Sequence, residues 1–190
     1  RAAVAVLEGE GLRPPLLHAA NSAATLVHPE ARFDLVRAGI AVYGIDPAPA
    51  LAGVVDLAPA LTLRARVTHV KRVAAGERVS YGLRHEFVTA TTVATLPLGY
   101  ADGVPRRLSG VGGEVLIGGR RRPLVGVVTM DQCMVDCGDD AVAVGDDVVL
   151  IGRQGDEEVT ANEWGERLGT IGYEVVCAIG PRVPRVHLGG

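Results

Sequence analysis

At residue 61 the chain changes its hydrophobic repeat, and no other feature of the sequence constrains the fold as much. Leu61, Leu63, Ala65 and Val67 alternate with Thr62, Arg64, Arg66 and Thr68. A period of two sends successive side chains to opposite faces, which predicts a half-buried antiparallel strand. Short strands are expected again at Val93 to Leu98, Val115 to Ile117, Leu124 to Val128, Met134 to Cys137, Val148 to Ile151 and Val183 to His187. Gly112-Gly113, Gly118-Gly119, Gly138-Asp139 and Gly145-Asp146 supply turns between them. One helix interrupts the series. Thr160 followed by Glu163 is a capping box, Trp164 and Leu168 share a face, and Gly169 closes it.

Upstream the texture is different. Residues 2–10 read as the end of a helix closed by Gly11, and Pro14-Pro15 breaks it. Leu16 to Ala19 and Phe33 to Arg37 suit strands buried on both faces, with Asn21-Ser22 capping a helix between them and Gly39 closing the second run. This alternation predicts α/β structure whose chemistry lies at the C-terminal ends of the strands. The Pro/Ala-rich stretch from Asp46 to Pro59 reads as a boundary. The expected organisation is therefore an α/β piece over 1–45, a linker over 46–60 and a mainly β domain over 61–190.

Composition excludes several classes. The 190 residues are 48% hydrophobic with a formal net charge of −3. Arginines are scattered among acids, so no nucleic-acid footprint appears. No apolar run reaches membrane-spanning length and no secretory leader pattern is visible, which makes the cytoplasm the default. Cys133, Cys137 and Cys177 are odd in number and lack Cys-x-x-Cys spacing, so they are read as small buried apolar residues, with no metal site and no disulfide framework.

Six short motifs carry the chemistry: Ala20-Asn21-Ser22-Ala23-Ala24, Val36 to Gly44, Val79-Ser80-Tyr81-Gly82, Leu98-Gly99-Tyr100-Ala101-Asp102-Gly103, Thr129-Met130-Asp131-Gln132, and Gly169-Thr170-Ile171-Gly172-Tyr173-Glu174. Read singly, each has a plain meaning. Ser22 is a helix cap, Gly39 and Asp102-Gly103 are turns, Arg37 is a surface partner for Asp34, and Met130 fills a core. Taken together and in this order, they resemble alanine racemase, a family of pyridoxal-phosphate enzymes that interconvert L- and D-alanine.

That resemblance implies a fold and a set of roles. The fold is a mainly β, antiparallel barrel-like C-terminal domain preceded by the last βα units of a TIM-type α/β barrel. Ser22, Gly39, Ile40 and Tyr173 would bind the cofactor phosphate. Arg37 would hydrogen-bond the pyridine nitrogen, and because a guanidinium keeps its protons, the ring would stay a weaker electron sink than beside an acid. Tyr81 would be the catalytic base on one face of the α-carbon, reaching into a partner subunit of a homodimer. The backbone N–H of Met130 would meet the substrate carboxylate, and Tyr100, Arg106, Asp131 and Ile171 would line the access passage. The biological output would be D-alanine for bacterial peptidoglycan.

Two departures stand out. Where the family often has arginine after the glycine preceding Met-Asp-Gln, this chain has Val127. The Val-Lys-Ala-Asn motif bearing the family's Schiff-base lysine does not occur, and the only lysine, Lys71, lies on a predicted β strand. The chain is therefore read as the C-terminal portion of an alanine racemase, inactive alone, with exposed apolar barrel surface that should make it associate. A racemase for serine or lysine, and a non-catalytic assembly module of the same descent, are the competing readings.

Overall fold

In the computed structural model, which describes residues 2–189, the first helix stops where a glycine lets it. α1 (Ala2–Gly9) is followed by Gly11 at φ +68°, and Leu12 N–H returns to Leu7 O at 2.8 Å. That left-handed termination is open to a residue without Cβ. β1 (His18–Asn21) then pairs in parallel with β2 (Leu35–Arg37). Parallel neighbours need a crossover, here α2 (Ser22–Val27) and the turns after it. α3 (Gly39–Val42) follows β2.

Contact density divides the chain into Arg1–Ala60 and Leu61–Gly190. In the first unit the strands begin two residues later than the apolar runs at Leu16 and Phe33 suggest. The expected burial on both faces is also absent, since Leu35 and Val36 are 43% and 38% exposed. Each strand has one ladder partner, so the other edges and most of the faces stay open.

The second unit opens with β3 (Leu63–Arg66), β4 (His69–Val73) and the small hairpin β5 (Arg78–Val79) to β6 (His85–Glu86). It continues through β7 (Thr91–Leu96), β8 (Glu114–Ile117), β9 (Arg120–Val125), β10 (Cys133–Asp136), β11 (Asp147–Gln154) and β12 (Glu157–Val159). The main sheet is antiparallel in the order β4-β7-β10-β9-β8-β11, with β3 and β12 also paired to β11. β4, at one end of that run, and β3, which pairs with β11 at the other end, are consecutive in sequence. Val67 N–H reaches Asp146 O at 3.0 Å while Thr68 N–H reaches Thr95 O at 2.9 Å, so two adjacent residues tie the ends together. The sheet is thus curled and barrel-like, and Leu96, Val115, Leu116, Ile117, Val135, Val148 and Leu150, which fall on both of its faces, are almost wholly buried.

α4 (Ala161–Leu168) begins as the sequence predicts. Thr160 Oγ1 accepts Glu163 N–H at 3.0 Å, Trp164 is fully buried, and Gly169 ends the helix at φ +73°. The Glu163 side chain, however, turns away from the cap. It accepts from Arg121 at 2.8 and 3.0 Å and from Arg167 at 3.0 Å, while Arg121 also reaches Glu114 and Glu157. The two arginines, Arg121 first, hold the Glu163 carboxyl below the usual glutamate range. Because its folded value is depressed, the stability it contributes is complete above the unfolded value of about 4.3 and is lost as pH falls through the folded value. Glu163→Gln should lower unfolding free energy by about 1–3 kcal/mol near pH 7. Urea denaturation at descending pH should show the variant and wild type converging in acid; a gap that stays constant would contradict this ion pairing.

A second helix, α5 (Gly172–Ala178), was not expected. Its start carries no sequence signal, because Ile171 has no acceptor to cap with and Gly172 and Val175-Val176 are poor helix formers. Packing produces it. A Cβ on Gly165 would lie 2.8 Å from Ile171 C, and one on Gly172 would lie 2.3 Å from Asn162 Oδ1, so the two helices approach through glycines. The strand expected at Val183 to His187 does not form. Arg185 donates to Ile179 O and Val183 O at 2.7 Å and also to Gly180 O, which folds the segment into a turn. Cys133 and Cys137 are buried as expected, but Cys177 on α5 is exposed. No helix among the described residues is long and apolar enough to cross a membrane.

Candidate active site

In the first unit the parallel register, His18 to Leu35 and Asn21 to Arg37, brings two candidate segments side by side at the strand ends. Asn21 Oδ1 accepts Ala24 N–H at 3.0 Å and starts α2. Ser22, buried, accepts Ala41 N–H on its Oγ at 3.4 Å, which links the end of β1 to α3. Ile40 is buried too, whereas a Cβ on Gly39 would meet nothing within 4 Å. Gly39 and Ile40 head α3, where amides lack an intrahelical acceptor.

Arg37 does not pair with Asp34. Its Nη1 lies 2.6 Å from His18 Nδ1 and its Nη2 donates to Ala19 O at 3.4 Å, while Asp34 accepts Leu17 N–H at 2.9 Å. A guanidinium can only donate, so His18 Nδ1 must carry the lone pair and the ring proton sits on Nε2. His18 was not foreseen; only the strand register shows that it orients Arg37. The donors gathered here, a hydroxyl, two amides and a guanidinium, fit a phosphate ester and a ring nitrogen in kind.

In the second unit, β5 and β6 pair Arg78 with Glu86 and Val79 with His85, and the Arg78–Glu86 ion pair spans the hairpin. The tip carries Tyr81, 74% exposed. Ser80 precedes it at φ +68° and ψ 176°, a region almost confined to glycine and costing about 1–3 kcal/mol for other residues. Its Oγ donates to Val127 O and accepts Val127 N–H, both at 2.9 Å.

Tyr81, Tyr100, Arg106 and residues 127–132 surround one cleft of about 550 Å³. Its floor is made by close backbone approach. A Cβ on Gly99 would lie 2.2 Å from Thr129 O and 2.4 Å from Met130 O, and Tyr100 and Ala101 donate their amides to those same carbonyls at 2.9 and 3.1 Å. Met130 is 52% exposed at the cleft and is no core residue. Buried Asp102 accepts Gly99 N–H at 2.9 Å and faces Arg182 Nε at 3.2 Å. Arg182 in turn binds Asp131 Oδ1 at 2.6 Å, which holds the guanidinium above its ordinary value. Arg182 was missed because it directly precedes the segment expected to be a strand. Burial, with Asp102 nearby, pushes the Cys133 thiol up to about 12, so it is no nucleophile despite its place beside Gln132.

The structure thus brings Tyr81, Tyr100, Arg106, Met130 and Asp131 together. Ile171 and Tyr173 lie at the start of α5 and do not line that cleft. A neighbouring cavity of about 460 Å³, which shares Tyr100 and Arg106, is lined by Thr170, Glu174, Val175 and Ala178 from the α5 region.

Known proteins match along the whole chain. The family profile described as "Alanine racemase, C-terminal domain" covers residues 60–187, and "Alanine racemase, N-terminal domain" covers residues 1–47. The Alanine racemase of Symbiobacterium thermophilum is 57% identical over 99% of this chain and 50% of its own length. That of Thermobifida fusca is 50% identical over 98% and 50%. A crystal structure of alanine racemase from Bacillus anthracis with bound L-Ala-P superposes with a TM-score of 0.91 at 43% identity, covering 100% of this chain and 49% of that one. The enzyme from D-cycloserine producing Streptomyces lavendulae gives 0.91 at 48% identity, covering 100% and 50%. The chain spans about half the length of the curated relatives it matches.

Proposed function

This chain belongs to the alanine racemase family, and from that premise we propose that it is the C-terminal half of a pyridoxal-phosphate-dependent enzyme interconverting L- and D-alanine, here called the parent enzyme. The observation that carries the proposal is the placement of the Tyr81 phenol, exposed at the mouth of a cleft that also presents Met130 and Arg106. A phenol buried in the β domain could not reach another molecule.

Each residue has a task in the proposed mechanism. The cofactor, when bound, withdraws electrons from the substrate α-carbon and so acidifies its proton. Tyr81 takes that proton from L-alanine, or returns one to the same face, in the barrel of a partner subunit. The Met130 amide orients the substrate carboxylate. Ser22 Oγ and the amides of Gly39 and Ile40 hold the phosphate, and family membership adds Tyr173. Arg37, kept in place by His18, donates to the ring nitrogen without yielding a proton. Tyr100, Arg106, Asp131 and Ile171 form the access passage, and Val127 leaves one wall of it uncharged. The enzyme works as a homodimer with shared sites in the bacterial cytoplasm and supplies D-alanine for peptidoglycan.

Substitution of Tyr81 by Phe in the parent enzyme tests this. Racemisation should fall by about 10²- to 10⁴-fold, the usual contribution of a positioned acid or base. Since the enantiomers have equal free energy, the loss is the same in both directions. The faces separate in heavy water. Exchange of the D-alanine α-proton should persist through the base on the other face, while exchange of the L-alanine proton is lost. Undiminished L-alanine exchange would refute the assignment.

A further inference from the structure

We propose that Ser80 is a positioning residue that latches the Tyr81 tip to the wall of the cleft, an inference that rests on the reading of Tyr81 as a proton-transfer group.

The short hairpin cannot hold the tip by itself. β5 and β6 contribute two residue pairs, and a two-stranded ribbon of that length has little stability in water. Val79 does pack against the cluster of Val73, Phe87, Val93 and Val125, which secures the base of the hairpin. Beyond Val79 the chain takes left-handed conformations at Ser80, Gly82 and Leu83, with φ of +68°, +74° and +49°. Glycine is at ease there; serine and leucine are not. A backbone held in so sparse a region persists only where its surroundings fix it.

Within the tip the Ser80 carbonyl accepts Leu83 N–H at 3.1 Å, and what ties Ser80 to the rest of the domain is its side-chain oxygen. Its hydroxyl uses both donor and acceptor capacity on one residue, Val127, across 47 positions of sequence. Gly126 makes the approach possible, since a Cβ there would sit 2.6 Å from Ser80 Cβ. Val127 opens the stretch through Met130 and Asp131 that lines the same cleft as Tyr81. The same two bonds therefore set the spacing between the phenol and the groups it works with. Glycine at position 80 would remove the backbone strain together with the hydroxyl, and alanine would keep the strain without the bonds. Serine keeps a strained conformation and holds it, which is how a site secures geometry rather than stability.

The test uses Ser80→Gly and, from the opposite side, Gly126→Ala. In the 190-residue chain, exchange of the Val127 amide, which donates to Ser80 Oγ, and of the Leu83 amide, which donates to Ser80 O, should accelerate about tenfold or more in Ser80→Gly, while the protection of β7 and β10 stays as in wild type. In the loaded parent enzyme, Ser80→Gly should lower kcat and L-alanine α-proton exchange about 10- to 100-fold, with KM within about twofold and D-alanine exchange retained. Gly126→Ala should shift both readouts the same way. Unchanged amide exchange together with wild-type kcat in Ser80→Gly would overturn the latch. Should Tyr81→Phe itself leave L-alanine exchange intact, the function assigned to the phenol fails, and the amide exchange alone then upholds or overturns Ser80 as its anchor.

Discussion

Purified and mass-verified, the 190-residue chain should racemise neither L- nor D-alanine when supplied with pyridoxal phosphate. The residues that would grip the cofactor are present, but a covalent anchor needs a lysine amine that can be deprotonated and desolvated. The only lysine is Lys71. It lies on β4 opposite Val93, its side chain is 61% exposed, and its Nζ is 3.7 Å from Glu77 Oε1. An exposed, ion-paired ammonium in a β sheet is a poor nucleophile. Chiral chromatography after prolonged incubation should show no conversion above buffer. Sustained turnover from the chain alone would mean that the anchor is Lys71 or is not needed, and the division of labour proposed here would fall.

The first unit fits that expectation from another side. Leu35, Val36, Phe33 and Leu16 are between 38% and 56% exposed, although strand runs of this composition normally have both faces covered. Open edges and uncovered apolar side chains are the signature of a surface made for further structure.

The signals that were legible in the sequence are local ones. The alternation at Leu63, Ala65 and Val67 gave β3 because a buried face leaves a period of two. Thr160 and Gly169 marked the ends of α4 because caps act within a few residues. Motif order singles out Tyr81, Tyr100, Met130 and Asp131, which line one cleft. What stayed hidden depends on distant packing. α5 forms through close glycine contacts with α4 rather than through its own propensity. Arg185 turns the last segment away from a strand by taking up its carbonyls, and Val-rich composition there gave the opposite impression. His18 beside Arg37, and Arg182 between Asp102 and Asp131, are partners that only strand register and chain path bring together. The Ser80 to Val127 bonds tie the Tyr81 motif to the residues just before Thr129-Met130-Asp131-Gln132, stretches that the sequence shows only as separate.

The central claim is that Tyr81 acts across a subunit boundary, and mixed dimers test it most directly. One form of the parent enzyme carries Tyr81→Phe; the other lacks the cofactor-anchoring lysine that the family places upstream of this chain. Each homodimer should be nearly inactive. If the sites are shared, a mixed dimer joins one intact lysine and one intact Tyr81 in one of its two sites, so random reassociation of equal amounts should restore about a quarter of wild-type racemisation. If Tyr81 serves its own subunit, no mixed dimer contains a complete site, and activity that stays at the homodimer level would contradict the account.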